Sequence, residues 1–182
     1  MFVRTPRKAI DPLLRDLQAA VSCVTPAVLR ARIVEGPPMR AAITFGGAPP
    51  RAKVGRGQER WIEANVAVEA RQDDAETGSW RTHTLRYDFS LYDSPDAGRA
   101  LLAYHFHPNP SGAGYQRPHL HVRAGPGWSP RPLERTHLPT GRVPCEAFIR
   151  LLIEELGIRT ARSDWDAVLS RTQAMFETRR TW

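Results

Sequence analysis

Two spacings of apolar residues divide this chain. Near the start, Leu13, Leu14, Leu17, Val21 and Val24 recur at helical intervals behind Asp11-Pro12, which reads as an N-cap followed by the first helical position. Thr25-Pro26 repeats that signal and predicts a short second helix to about Val34. Gly36-Pro37-Pro38 breaks the chain, and Met39, Ala41, Ile43 and Phe45 then alternate with Arg40, Ala42 and Thr44 as a strand. The Gly/Pro-rich stretch from Gly46 to Gly57 predicts an exposed, mobile loop.

From Trp61 the period is two. Ile62, Ala64, Val66, Val68 and Ala70 form one apolar series. Leu85, Tyr87, Phe89 and Leu91 form a second, Leu102, Tyr104 and Phe106 a third, and Leu120 and Val122 a fourth. Turn residues separate them at Gln72 to Ser79 and Asp93 to Gly98, with a longer loop from Pro108 to Pro118. Short links between successive strands favour antiparallel pairing. Helical spacing returns in Phe148, Leu151, Leu152 and Leu156, opened by Pro144 and stopped by Gly157. A capping box from Ser163 to Asp166 introduces a last helix with Trp165, Val168, Leu169, Met175 and Phe176. The expected fold is therefore α+β: an antiparallel meander of four to five strands with N- and C-terminal helices packed on one face. It is read as one domain over residues 1–182, with N-terminal helices in 1–35, a strand and flexible basic loop in 36–60, the sheet in 61–124 and the C-terminal helices in 144–180.

The other side of that sheet carries the chemistry. Residues i and i+2 of a strand share a face, so His105 sits with His107 and His119 with His121. A symmetric hairpin across Pro108 to Pro118 places His107 opposite His119 and His105 opposite His121, with Cβ atoms about 4.5–5.5 Å apart. The same construction through Pro95 sets Arg86 opposite His105, Asp88 opposite Ala103 and Tyr92 opposite Arg99, and Arg123 continues past His121.

Three readings of this face stand side by side. In the first, imidazoles act as general base and acid on an RNA phosphodiester. Arg86, Arg99 and Arg123 then stabilise the charged intermediate, and Tyr92 or Asp88 orients an imidazole. In the second, His105, His107, His119 and His121 hold zinc or another divalent transition metal, with Asp88 or Glu63 beside them. In the third, the histidines are a solvated surface without chemistry, and the protein is then a non-catalytic nucleic-acid-binding subunit of a defence assembly that uses its basic surface only. His137 reads as a capping or surface residue of a loop. His83 shares the parity of the core-facing residues, and Trp61, on the polar face, is a candidate for stacking on a base.

Charge adds a partner class. The net charge is +7, which favours anionic partners and above all nucleic acid, RNA before DNA. Arg51, Lys53 and Arg56 of the Gly-rich loop, with Arg99, are the candidate contacts. No apolar run is long enough to span a membrane, and Asp11, Arg15 and Asp16 interrupt the one segment that resembles a leader. Cys23 and Cys145 are too few for a disulfide framework and have no metal spacing, so a reducing cytoplasm is expected.

The pieces Tyr104-His105-Phe106-His107, Pro118-His119-Leu120-His121-Val122 and the helix from Glu146 to Gly157 resemble the TumE-like toxin family of bacterial toxin–antitoxin modules. The resemblance covers about half the chain and implies a toxin-like, RNA-directed protein, an endoribonuclease on the first reading, paired with a separate acidic antitoxin. The longer N-terminal region, the Gly46 to Gly57 loop and the extra C-terminal helix depart from the family pattern.

Overall fold

The computed structural model describes residues 5–34, 36–55, 57, 59–74, 78–108, 115–123 and 137–179. Three helices cover one face of an antiparallel sheet. The elements are α1 (Pro6–Val21), β1 (Leu29–Val34), β2 (Arg40–Phe45), β3 (Ala52–Val54), β4 (Arg60–Asp74), β5 (Ser79–Tyr92), β6 (Leu102–Phe106), β7 (His119–Val122), β8 (Leu138–Pro139), α2 (Cys145–Glu154) and α3 (Trp165–Arg179). The strands lie in the order β1-β2-β4-β5-β6-β7-β8, with β3 pairing separately on β4. The α+β class is as the sequence predicts, but the sheet has eight strands among the described residues rather than four to five.

The core forms where the period-two series meets the helices. Ile43, Ile62, Val66, Val68, Tyr87, Phe89, Leu91 and Phe106 are buried against Ile10, Leu17 and Val21 of α1, Phe148 and Leu152 of α2 and Leu169 of α3. Phe148 is fully buried and stacks on Phe89, with ring centroids 5.9 Å apart. Cys23 and Cys145 are free and buried in this core, as small apolar residues. Burial pushes the Cys23 thiol up to about 11 and Cys145 well above the usual range.

Four local expectations are corrected. The helix foreseen from Thr25 to Val34 is strand β1: Leu29 is buried while Arg30, Arg32 and Val34 are exposed, a period of two beneath a misleading Thr-Pro signal. Its start is held by Gln18, whose Oε1 accepts the Leu29 N–H at 2.7 Å and whose Nε2 donates to the Ala27 carbonyl at 3.1 Å. Helix α1 begins six residues before Pro12, with Thr5 as N-cap, so Asp11-Pro12 lies inside it. The stretch read as a wholly exposed loop contains β3, whose Ala52 and Val54 pack into the core while Lys53 points out.

The fourth correction is a bulge. Ala67 pairs with Arg86 but Val68 pairs with Thr84, so Leu85 is the extra residue. Beyond it the parity of β5 reverses. His83 pairs with Glu69 on the outer face instead of following the core-facing series.

Candidate metal centre

The outer faces of β5, β6 and β7 bring the histidines together, by a register different from the symmetric one. His105 lies opposite His119, and His121 lies opposite Ala103. On the other side Asp88 lies opposite His105, and Ser90 opposite Ala103. Both ladders are displaced by two residues from the expected pairing, because neither loop is a tight turn that fixes the register. A shift of two keeps every side chain on its expected face and changes only its neighbours. The carboxylate of Asp88 therefore meets the imidazoles, and the small Ala103 stands beside His121.

Five imidazoles form one connected group of ring contacts. The ring centroids of His105 lie 5.1 Å from His107, 5.7 Å from His119 and 5.1 Å from His121. His119 and His121 are 4.8 Å apart. His137 stands 4.8 Å from His119 and 4.9 Å from His121. It stacks at 4.8 Å on Tyr115, which also meets His119 edge-on. The sequence reading placed His137 apart, as a loop residue. The signal that it belongs here is β8, whose Leu138 and Pro139 pair with Leu120 and His119 and draw the preceding residue over the centre.

Two groups within the cluster offer three ligand atoms each, all within 4.8 Å of one another: His105, His119 and His121, and Asp88, His105 and His107. In the first group His119 is buried and the other two half-buried. The Nδ1–H of His119 donates to the Arg117 carbonyl at 2.8 Å, which leaves its Nε2 with the free lone pair. Asp88 Oδ1 lies 2.5 Å from Nε2 of His107 and 3.5 Å from Nε2 of His105. The carboxylate thus orients both rings of β6.

Burial, against the opposing pull of Asp88 and with the repulsion of the neighbouring imidazoles, holds His105 down at about 4. Burial also lowers His119, against the Arg117 carbonyl that raises it. Both rings are neutral at physiological pH, the state in which imidazole binds metal.

The remaining predicted residues divide. Arg86 is exposed on β5, one outward position along from Asp88. Tyr92 does not orient an imidazole: its hydroxyl bonds Glu63 at 3.2 Å and its ring lies under Arg51, 3.4 Å away. Arg123 is tied to Asp93 at 2.7 Å. Arg51 is no free phosphate contact. Its side chain is 11% exposed, bonds the carbonyls of Pro95 and Ala97 at 2.7 and 3.0 Å, and pairs at a longer 3.6 Å with Glu63. Lys53 is neutralised by Glu59 at 2.6 Å and covers Trp61, which occupies the face expected for base stacking. Arg99 is exposed, and Arg56 lies outside the described residues.

A cavity of about 850 Å³ opens on the helix side, lined by Leu13, Asp16, Trp80, Tyr87, Glu146 and Met175 among others. It shares no wall with the histidines. Size alone gives it no chemistry, so the convergence of ligand atoms is the better guide to a site.

Comparison with known proteins gives no match to a protein-family model, a curated protein or a solved structure. Among the described residues, no helix is long and apolar enough to cross a membrane. The class that fold and site define is an α+β protein with a group of histidines whose ligand atoms converge on one face of the sheet.

Proposed function

We propose that this protein is a metal-dependent enzyme in which His105, His119 and His121 hold one divalent transition ion, zinc or a similar metal. The observation that carries the reading is the approach of their three ligand atoms to within 4.8 Å. Zinc–nitrogen bonds of about 2.0–2.1 Å require tetrahedral ligand atoms about 3.4 Å apart, a distance that modest side-chain rotations reach. The second observation is the ring of partners around the ligands. Metal-bound histidines usually donate their other N–H to a carbonyl or carboxylate, and the Arg117 carbonyl and Asp88 stand in those places.

Three imidazoles leave the ion a net positive charge and a further coordination position, the arrangement of hydrolytic metal sites. The Asp88–His107 pair, exposed at one side of the centre, is placed to accept a proton from an attacking water. Exposed Arg86 on the same strand suits an anionic substrate.

The test is elemental analysis of protein purified without a histidine tag. About one zinc, iron, cobalt or nickel per chain is expected, lost in His119→Ala and His121→Ala while circular dichroism stays unchanged. Protein that binds no metal on reconstitution, and whose melting temperature ignores chelators, overturns the reading.

A metal-free ribonuclease is the second reading, favoured by the 2.5 Å contact of His107 with Asp88. It includes the RNA substrate and toxin-like role implied by the family resemblance. Its difficulty is His105, which at about 4 is neutral at physiological pH and too weakly basic to be matched to proton transfer there. RNA cleavage that survives exhaustive chelation in the wild type and is lost in His107→Ala would favour it.

A further inference from the structure

We infer that His137 is a displaceable fourth ligand of the proposed ion, closing the loaded centre by a movement of its ring and opening it when the ring swings back. The inference rests on the metal reading above and concerns a residue outside its three ligands.

The argument is geometric. An imidazole bound through nitrogen places its centroid about 3.2 Å from a zinc-sized ion, given a bond of about 2.0–2.1 Å, and four such rings in a tetrahedron have centroids about 5.2 Å apart. Of the six pairs among His105, His119, His121 and His137, five have centroid separations between 4.8 and 5.7 Å. His137 lies as near to His119 and His121 as these two lie to each other. Its plane is inclined at 71° and 68° to theirs, like the other edge-on contacts of the group. Only His105 and His137 remain without a ring contact, so the tetrahedron closes by one movement of the His137 side chain.

His107 is the rival for that position, and geometry disfavours it. Its ring lies nearly parallel to that of His105, at 13°, and its ligand atom converges with those of His105 and Asp88 rather than with those of His119 and His121. Its Nε2 is also engaged by Asp88.

The same stacking logic gives His137 its second position. The ring lies at 17° on Tyr115 in this structure, so the position described is the one off the ion, from which a short movement brings it to the centre. His137 is exposed, whereas His119 is buried. A solvent-facing ligand just before a two-residue strand is the one an incoming substrate or water can displace, since moving it uncovers no core.

Cobalt-loaded protein tests this, because the visible spectrum of cobalt(II) reports the number and kind of its ligands. The wild type is expected to show a four-nitrogen tetrahedral spectrum that is indifferent to pH between about 6 and 8 and to millimolar azide. In His137→Ala a water takes the vacated position. Its ionisation near pH 7, by analogy with zinc-bound water, gives a pH-dependent band, and azide shifts the spectrum. Cobalt affinity should fall at least tenfold, the lower end of what loss of a supporting partner costs. His137→Gln, which keeps a polar side chain, should show the same pH-dependent band. Far-ultraviolet circular dichroism of the metal-free variants guards against misfolding. Identical cobalt spectra in wild type and His137→Ala overturn the inference and leave the three-ligand centre standing. Failure of the wild type to bind cobalt overturns both.

Discussion

His105 is the hub of the cluster: His107 stacks on it, and His119 and His121 meet it from β7. Its titration has a definite sign. The folded value, about 4, lies below the ordinary 6.5, so between these values the unfolded chain binds a proton that the folded chain excludes. The stabilisation is complete above about pH 6.5 and is lost as pH falls towards 4. Glu69 acts in the same direction at lower pH. The guanidinium of Arg71, with that of Arg40, holds its carboxyl below the usual range, and the benefit is lost as that carboxyl protonates. The expected outcome for metal-free protein is a melting temperature that falls steadily from pH 6.5 to 4. His105→Asn, which cannot titrate, should flatten that slope, measured by thermal denaturation across a buffer series. A residue's face follows from the period of two and was legible at Asp88, His105, His107, His119 and His121. That Asp88 serves an imidazole was also legible, but its pairing opposite His105 was not, because that depends on a two-residue register shift that no local pattern encodes.

Among the elements, β1 shows how a side chain can settle what local propensity leaves open. Thr25-Pro26 is a sound helix-start signal, yet Gln18 of α1 bonds both the Ala27 carbonyl and the Leu29 N–H and hands the chain into β1. Gln18→Ala should destabilise the fold by about 1–3 kcal/mol, through an unpaired and part-buried backbone N–H, with amide exchange quickest to rise at Leu29. Two unchanged values would show that the bonds are incidental. The long series were readable because β4 and β5 each repeat their apolar period many times. Strand β8 has two residues and therefore no period, so His137, carried just before it, had no visible reason to join the others. Bulged β5 shows the same limit from another side. The single extra residue, Leu85, reverses the parity on which the placing of His83 relied.

For the molecule as a whole, the positive charge is less available than its sum suggests. Arg40 and Arg71 share Glu69, Arg123 holds Asp93, Arg150 holds Glu154 and Asp166, and Arg162 holds Asp164. Arg51 supports the Pro95 turn from within. Arg51, expected as a nucleic-acid contact, and Arg86, expected as a charge at the catalytic face, should therefore separate by experiment. Arg51→Ala should cost about 1.5–3 kcal/mol of stability, as loss of charged hydrogen bonds does. Arg86→Ala should leave melting unchanged and, if the protein binds RNA, lower the salt slope of binding by about one unit. Equal effects of both variants on stability would contradict the structural division between them.

Apart from β3, the spatial order of the strands is their order in the chain. Each strand can be laid beside its predecessor as it becomes available, with no segment held in reserve for a later insertion. The histidines lie at the far end of that sequence of events. A chain ending before residue 119 carries three of its six histidines, His83, His105 and His107, and no centre. Only a chain that has delivered β7 and reached β8 can gather the rest. On the metal reading, capture of an ion would therefore certify that the sheet has been built through β7.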